Sequence, residues 1–406
     1  MNIIDIINKK RLNKHLSYEE LSFAFNGYLS KTIEDYQMSA LLMAITINGL
    51  SYEETLNLTK IFIDSGETYS FDKKVCDKHS TGGIGDTVTL VVLPILASLN
   101  IPVAKMSGRG LGITGGTVDK LESIPGFKIN LTKEEFLDSL NKNNIALSSQ
   151  TDNLVPLDKA IYALRDVTAT TESIPLIASS IMSKKIASGA SYIVIDIKCG
   201  EGALIKNNND AELLSKWLTD IGSGFNVEVK TLITNMDEPL STSIGNALEV
   251  LEAIEVLKGK DTKLTRISIE VASLLISMYE NIPLEDAKIK ATASLKDNSA
   301  YNAFNKWITS MGGDLSKVKV SNKILKLKTN KAGTITKISA LACGKLALKL
   351  GSGRLTKGAN IDYSVGIKLL KNVGDNVEVN ETIADLYVNN LDINLTKEDL
   401  NIYKIS

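Results

Sequence analysis

Lys78-His79-Ser80-Thr81-Gly82-Gly83-Ile84-Gly85-Asp86-Thr87 and Lys105-Met106-Ser107-Gly108-Arg109-Gly110-Leu111-Gly112-Ile113-Thr114-Gly115-Gly116-Thr117-Val118-Asp119-Lys120-Leu121-Glu122 concentrate glycines, hydroxyls and cations more densely than any other part of the chain. The mixture suits an oxyanion. Glycines admit a ligand close to the backbone, successive amides form anion-binding nests, and Ser, Thr and Lys add donors and charge. One such stretch would read as an ordinary glycine-rich turn, but two of the same chemistry point to phosphate or a phosphorylated group. The common nucleotide motifs do not account for them. No G-x-x-x-x-G-K-[ST] occurs, which disfavours a P-loop NTPase. Gly110-Leu111-Gly112-Ile113-Thr114-Gly115 satisfies G-x-G-x-x-G after the apolar run Ile101 to Ala104, yet Gly116, Pro125 and Gly126 interrupt the helix that should open there. A Rossmann site is therefore discounted.

The two stretches, in this order, resemble the signature of the thymidine and pyrimidine-nucleoside phosphorylases. Tyr162-Ala163-Leu164-Arg165-Asp166-Val167-Thr168 and Ser180-Ile181-Met182-Ser183-Lys184-Lys185 resemble the same family in order and spacing, so the likeness spans essentially the whole chain. One departure is Ile113, where the family usually has His, leaving Thr114 and Thr117 as donors. The resemblance implies reversible phosphorolysis of pyrimidine nucleosides (uridine, thymidine, deoxyuridine) to free base and (deoxy)ribose 1-phosphate, with no organic cofactor. It implies phosphate binding by residues matching Lys78, Ser80, Thr89, Ser107 and Thr117, together with His79, Lys105 and Met106. Base binding falls to His79, Tyr162, Arg165, Ser180 and Lys184, with His79, Arg165 and Lys184 as the catalytic set. A monovalent cation, K⁺, is implied at Gly85, Thr87, Leu240, Ser243 (where relatives often have Ala) and Glu252, mostly through carbonyls. Lys105 is tied to sugar choice, since family members accepting ribonucleosides tend to have Lys there and those restricted to deoxyribonucleosides an apolar residue. Alternatives are a strict thymidine phosphorylase, a phosphoribosyltransferase of the anthranilate type, and a catalytically inactive nucleoside-binding protein.

The residue types fit this chemistry. Phosphate must be placed against the anomeric carbon while the departing pyrimidine takes up negative charge, a task of positioning and electrostatics. Ser180 and Lys184 are four apart on a helix expected around Pro175 to Ile186 and so share a face. The planar guanidinium of Arg165 can present paired donors to pyrimidine carbonyls. Asp86 and Asp119 suit orienting the loop amides and lysines.

The elements that must position these residues can be read in outline. Ser17-Tyr18-Glu19-Glu20, Ser51-Tyr52-Glu53-Glu54 and Thr132-Lys133-Glu134-Glu135 each offer a capping box, in which hydroxyl and carboxylate satisfy the free amides of a helix start. Three helices are expected up to about Asp64. Beyond Gly66 the runs Val88 to Leu96, Tyr192 to Ile197 and Val227 to Ile233 are expected as strands of an α/β sheet. Pro156 to Ser188 is expected to be helical. Ala332 to Asn390 should hold alternating strands, a helix near Ala340 to Leu350 and a turn at Val373-Gly374-Asp375. The expected class is α/β: a small all-helical domain (1–66, with 156–188 returning to it), a large α/β sheet domain (67–155 and 189–330) and a C-terminal α/β barrel-sandwich-like module (331–406). The family implies a homodimer whose site lies in a cleft between the helical and α/β domains. Gly351-Ser352-Gly353-Arg354 echoes the phosphate stretches but is expected to be a plain turn.

Bulk properties narrow the class further. At 406 residues with 44% hydrophobic and 23% charged content, the chain suits a globular protein of two or three domains. A formal net charge of −1 gives it no general attraction for nucleic acid or anionic membrane. Cys76, Cys199 and Cys343 lack C-x-x-C spacing and are expected as reduced core or strand residues. The N-terminal segment carries Asp5 and no long apolar core, so neither a signal peptide nor a membrane span is expected, and the cytoplasm is the expected compartment.

Overall fold

The computed structural model describes residues 1–406 apart from Leu111, Thr114, Leu355 and Lys357, so the donor role expected of Thr114 lies outside the described residues. The chain divides into two compact units, Met1–Asp77 with Gln150–Ile193 and Asn208–Thr231, and Lys78–Ser149 with Val194–Asn207 and Leu232–Ser406.

The first unit is built on helices α1 (Ile3–Arg11), α2 (Tyr18–Leu29), α3 (Asp35–Asn48) and α4 (Tyr52–Asp64). There are four helices up to Asp64 rather than three. The capping boxes at Ser17 and Ser51 form as expected, with Glu20 N donating to Ser17 Oγ and Glu54 N to Ser51 Oγ. The additional starts use less familiar caps: the Asn2 side chain accepts from Ile4 N, and Glu34 pairs with Gln37. Later in the chain, α8 (Pro156–Arg165) and α9 (Ile174–Ala187) join this unit, as does α10 (Asn208–Gly224). Helices α4 and α9 are pinned by a buried hydrogen bond from Thr59 Oγ1 to Ser179 Oγ at 3.1 Å. Phe25 of α2 meets Phe62 of α4 edge-on, with ring centroids 5.8 Å apart.

The central sheet comprises β1 (Cys76–Ser80), β2 (Val103–Ser107), β3 (Ile145–Ser149), β4 (Tyr192–Cys199) and β5 (Glu228–Asn235), in the order β3-β2-β1-β4-β5. Strands β2 and β3 pair in parallel, with Val103 opposite Ile145 and Ser107 opposite Ser149. Between these strands run α5 (Val88–Ser98), α6 (Thr117–Glu122) and α7 (Lys133–Asn143), the last opened by the expected Thr132 box. Val88 to Leu96, expected as a strand, is thus helix α5. All but its last residue is buried, so it is apolar all round and shows no helical stripe by which it could be told from a strand.

Downstream come β6 (Ser243–Ile244) and helices α11 (Asn246–Leu257), α12 (Lys263–Glu280), α13 (Leu284–Lys296) and α14 (Ser299–Ser310). The C-terminal part holds β7 (Ile324–Lys328), β8 (Gly333–Ile338), α15 (Ala340–Leu350), β9 (Gly366–Leu369), β10 (Asn376–Val377), β11 (Thr382–Tyr387) and β12 (Tyr403–Ile405). Its strands form two sheets, β10-β8-β12 and β6-β9-β11-β7, the second joined to the preceding segment through β6. Helix α15 and the turn at Val373 to Asp375 lie where expected. All three cysteines are buried. Among the described residues, no helix is long and apolar enough to cross a membrane.

Candidate active site

Ser80 and Ser107 are the last residues of β1 and β2. From β1 the sheet grows outward through β2 and β3, and the chain then returns to place β4 on the other side of β1. Both glycine-rich stretches therefore run on from strand ends, and the one after β1 lies where the strand order reverses, which is where open α/β sheets bind ligands.

Strand alternation puts Lys78 and Ser80 on one face of β1, and Lys105 and Ser107 on one face of β2; His79 and Met106 fall on the opposite faces of their strands. Lys78, Lys105, Lys120 and Lys198 are all buried, and Lys78, Lys120 and Lys198 lie with the carboxylates of Asp86, Asp196 and Glu249. Lys198 Nζ donates to Asp196 Oδ2 at 2.5 Å and to Thr234 Oγ1 at 3.0 Å. Lys120 Nζ pairs with Glu249 Oε2 at 2.8 Å and donates to the Asp86 carbonyl. Lys105 Nζ donates to the Lys78 carbonyl at 2.6 Å. Lys78 differs from these three. Its Nζ stands 3.8 Å from Asp86 Oδ1 and has no hydrogen-bond partner among the described residues. Burial pulls its pKa below the ordinary lysine value, against the opposing pull of Asp86 and Asp196. Burial also works against the charge of Asp86, but Lys198, Lys78, Lys120 and the Ser80 hydroxyl outweigh it and hold that carboxyl far below the usual range. Ser80 Oγ donates to Asp86 Oδ2 at 2.5 Å and accepts from Gly82 N. The Lys78 ammonium is thus buried with its hydrogen-bonding capacity unmet among the described residues, and an anion is its natural complement.

The second stretch is held by two residues. Asp119 accepts from Gly110 N at 2.6 Å and from Arg354 Nη1 at 2.6 Å, while the Arg354 carbonyl accepts from Gly112 N at 2.9 Å. The loop folds so tightly that a Cβ on Gly116 would lie 2.2 Å from Gly110 N, which only glycine permits. Segment 351–354 is a turn, as expected, but Arg354 in it is a buried clamp that the sequence reading missed. Ile113 has an apolar neighbour: a Cβ on Gly344 of α15 would come within 3.1 Å of Ile113 Cβ and 2.6 Å of Ile84 Cδ1.

In the first unit, Arg165 ends α8 and is buried. Its Nε donates to the Thr170 carbonyl and its Nη2 to the Thr171 carbonyl, both at 3.0 Å, which fixes the guanidinium plane; Nη1 makes no hydrogen bond among the described residues. Burial lowers its pKa from the ordinary arginine value, with Asp158 and Tyr162 opposing the shift. On α9, Lys184 Nζ donates to the Ser180 carbonyl and to Ser180 Oγ, each at 2.8 Å, which bears out their shared face, and it also pairs with Asp158. Asp158 was missed by the sequence reading, although it lies one turn before Tyr162 and two before Arg165 on the same helix, a spacing that could have revealed it. Tyr162 is half exposed, and burial together with Asp166 raises its hydroxyl pKa.

Residues 4–66 match the helical bundle domain of the glycosyl transferase family, residues 72–301 its a/b domain, and residues 334–402 the pyrimidine nucleoside phosphorylase C-terminal domain. The pyrimidine-nucleoside phosphorylase of Geobacillus stearothermophilus is 47% identical over 412 residues, covering 98% of this chain and 95% of its own length. The chain belongs to the pyrimidine-nucleoside phosphorylase family. A second relative of that name, from Bacillus subtilis (strain 168), is 46% identical over 96% of this chain and 92% of its own. The fold is shared more widely: anthranilate phosphoribosyltransferase from Thermus thermophilus is 13% identical, with a TM-score of 0.63 over 76% of this chain and 99% of that one.

Several of the oxygens at the five positions matched to a K⁺ site already have partners. The Gly85 and Ser243 carbonyls lie 2.7 and 2.9 Å from Ser241 Oγ, whose single proton goes to one of them at a time. Thr87 Oγ1 donates to Glu249 Oε2 at 2.8 Å. Glu252 accepts from Thr242 N, Ser243 N and Thr242 Oγ1, and is paired with Lys368. Leu240 is held through its amide to the Ile84 carbonyl at 3.0 Å.

Proposed function

We propose that this chain catalyses the reversible phosphorolysis of pyrimidine nucleosides, moving a pentosyl group from the base to inorganic phosphate. The observation that carries this reading is the buried Lys78 ammonium, which has no hydrogen-bond partner among the described residues and lies near the carboxyl end of β1. In this reading Lys78, Ser80, Thr89, Lys105, Ser107 and Thr117, with the backbone at His79 and Met106, hold phosphate. A phosphate oxygen attacks the anomeric carbon, the C–N bond breaks, and its electron pair passes to the pyrimidine. Arg165 and Lys184 stabilise that anion at the base carbonyls, Ser180 and Tyr162 line the base, and His79 donates to a carbonyl. The reaction needs no organic cofactor. Residues 1–66 and 156–188 serve as the helical domain, 67–155 and 189–330 as the α/β domain and 331–406 as the C-terminal module of a cytoplasmic homodimer.

Base release from uridine, thymidine and deoxyuridine, each with and without phosphate, tests the reading. Release should depend strictly on phosphate, because the carboxylates of this site, Asp86, Asp196 and Glu249, are each engaged by a lysine rather than set to activate water. Equal rates in phosphate-free buffer, or a requirement for phosphoribosyl pyrophosphate and Mg²⁺, would overturn it.

Sugar choice supplies a further expectation. The Lys105 ammonium, fixed on the Lys78 carbonyl, can tolerate a ribose hydroxyl that an apolar wall would leave unpaired at about 1–3 kcal/mol. Uridine should be a substrate alongside thymidine, and Lys105→Met should depress uridine turnover more than thymidine turnover at saturating phosphate. A wild-type enzyme that splits thymidine and leaves uridine untouched is instead a strict thymidine phosphorylase.

A further inference from the structure

Glu252 is a buried carboxylate whose neighbour Ser243 is tied to the turn that carries Gly85, Asp86 and Thr87, and something must balance its charge. The balancing group comes from a different part of the chain. In the ladder between β6 and β9, Lys368 lies directly opposite Ser243, and Leu369 N donates to the Thr242 carbonyl at 2.7 Å, which fixes the register. From there the Lys368 ammonium donates to Ser243 Oγ at 2.9 Å, Thr242 Oγ1 at 3.0 Å and Glu252 Oε2 at 3.3 Å. An ammonium has three donors and no acceptor, and these three oxygens use all of them. Side-chain exposure is 26% for Lys368 and 1% for Glu252, so the pair is shielded on the carboxylate side and reached by solvent only from the lysine.

We propose that Lys368 is a built-in monovalent cation: its ammonium takes the place of K⁺ beside Glu252, so this enzyme holds its Gly85 turn without a bound alkali metal. An ammonium and a potassium ion are both singly charged cations of similar size that bind oxygen. They differ in that the ammonium is directional and satisfied by three acceptors, whereas K⁺ needs a shell of oxygens. The oxygens here are arranged for the first case. Hydroxyl Ser243 Oγ, not a carbonyl, faces the charge, and Ser241 Oγ gives its one proton to the Gly85 or the Ser243 carbonyl. Lys368 thus does the cation's work at the carboxylate, while Ser241 engages a carbonyl. The mechanical result is a brace. The C-terminal β9 holds β6 and Glu252, Ser241 ties β6 to the Gly85 turn, and that turn leads into Thr87 and Thr89 at the start of α5.

The test uses the full chain purified in potassium-free buffer with tetramethylammonium as counterion, titrated with KCl against tetramethylammonium chloride at equal ionic strength. For the wild type, Tm and kcat/KM for phosphate should both be flat in K⁺. In Lys368→Met combined with Ser241→Ala, Glu252 loses its cationic partner and the Gly85 and Ser243 carbonyls lose the Ser241 hydroxyl beside them, so K⁺ should raise Tm and restore lost activity while tetramethylammonium does neither. Lys368→Arg keeps the charge and should stay indifferent to K⁺. A wild type whose Tm or phosphate KM responds specifically to K⁺ overturns the proposal, and so does a double variant that folds and is equally indifferent. Should the double variant fail to fold in any salt, the wild-type titration alone decides. Because Tm is read without substrate, a failure here is distinguishable from a failure of the phosphorolysis reading.

Discussion

Lys78→Met should lower kcat/KM for phosphate by at least ~100-fold, the scale of losing one preorganised donor to a reacting anion, while leaving Tm unchanged or raised. The two expectations come from the same observation. Lys78 is fully buried, its Nζ has no hydrogen bond among the described residues, and burial depresses its pKa, so in the ligand-free protein its charge is a cost to folding. Methionine keeps the unbranched apolar stem and removes the charge. Asp86 keeps Lys198 and Lys120 as its cationic neighbours in the variant. A residue that weakens the fold and strengthens phosphate binding is one whose removal separates stability from activity. The pH dependence gives a second readout. Protonated Lys78 is the binding form and its pKa lies below the ordinary lysine value, so kcat/KM for phosphate should fall on the alkaline side before an exposed lysine would titrate. That limb should vanish in Lys78→Met. A variant with lowered Tm and near-normal phosphate kinetics would make Lys78 structural.

The sequence discloses what is local and hides what is assembled. The boxes at Ser17, Ser51 and Thr132 were legible because donor and acceptor lie three residues apart, and the face shared by Ser180 and Lys184 because helical spacing dictates it. Caps from Asn2 and Glu34 do not fit the usual hydroxyl-carboxylate pattern, and one helix more than expected stands before Asp64. Helix α5 was misread for a different reason: burial along almost its whole length erases the periodicity that distinguishes helix from strand. The glycine-rich stretches announced themselves by composition. Their supports did not, because Arg354 reaches Asp119 from 235 residues away and Lys368 reaches Glu252 from 116. Such partners are set by the tertiary fold, and in a single sequence they read as an ordinary turn and an ordinary strand lysine.

Arg165→Ala and Lys184→Ala should each lower kcat/KM by at least ~100-fold, with similar losses for uridine, thymidine and deoxyuridine, because every pyrimidine nucleoside presents the same carbonyl edge to the developing anion. The structure sharpens how the two should fail. Arg165 spends Nε and Nη2 on the carbonyls of Thr170 and Thr171, so its removal also frees that loop and should raise nucleoside KM as well as lower kcat. Lys184 donates to the Ser180 carbonyl and Ser180 Oγ and is ion-paired with Asp158. To meet a base carbonyl it must exchange one of them, and the Ser180 hydroxyl is the partner that can rotate away and become a donor itself. Asp158 should then act as a positioning residue: Asp158→Asn keeps the shape, weakens the hold on the ammonium, and should lower kcat with little change in phosphate KM. In a double-mutant cycle, Asp158→Asn should cost much less in the Lys184→Ala background than in the wild type, since the group it positions is already gone. Folded single variants with near-normal turnover would return Arg165 and Lys184 to a purely structural role, and strict additivity in the cycle would remove Asp158 from the base site.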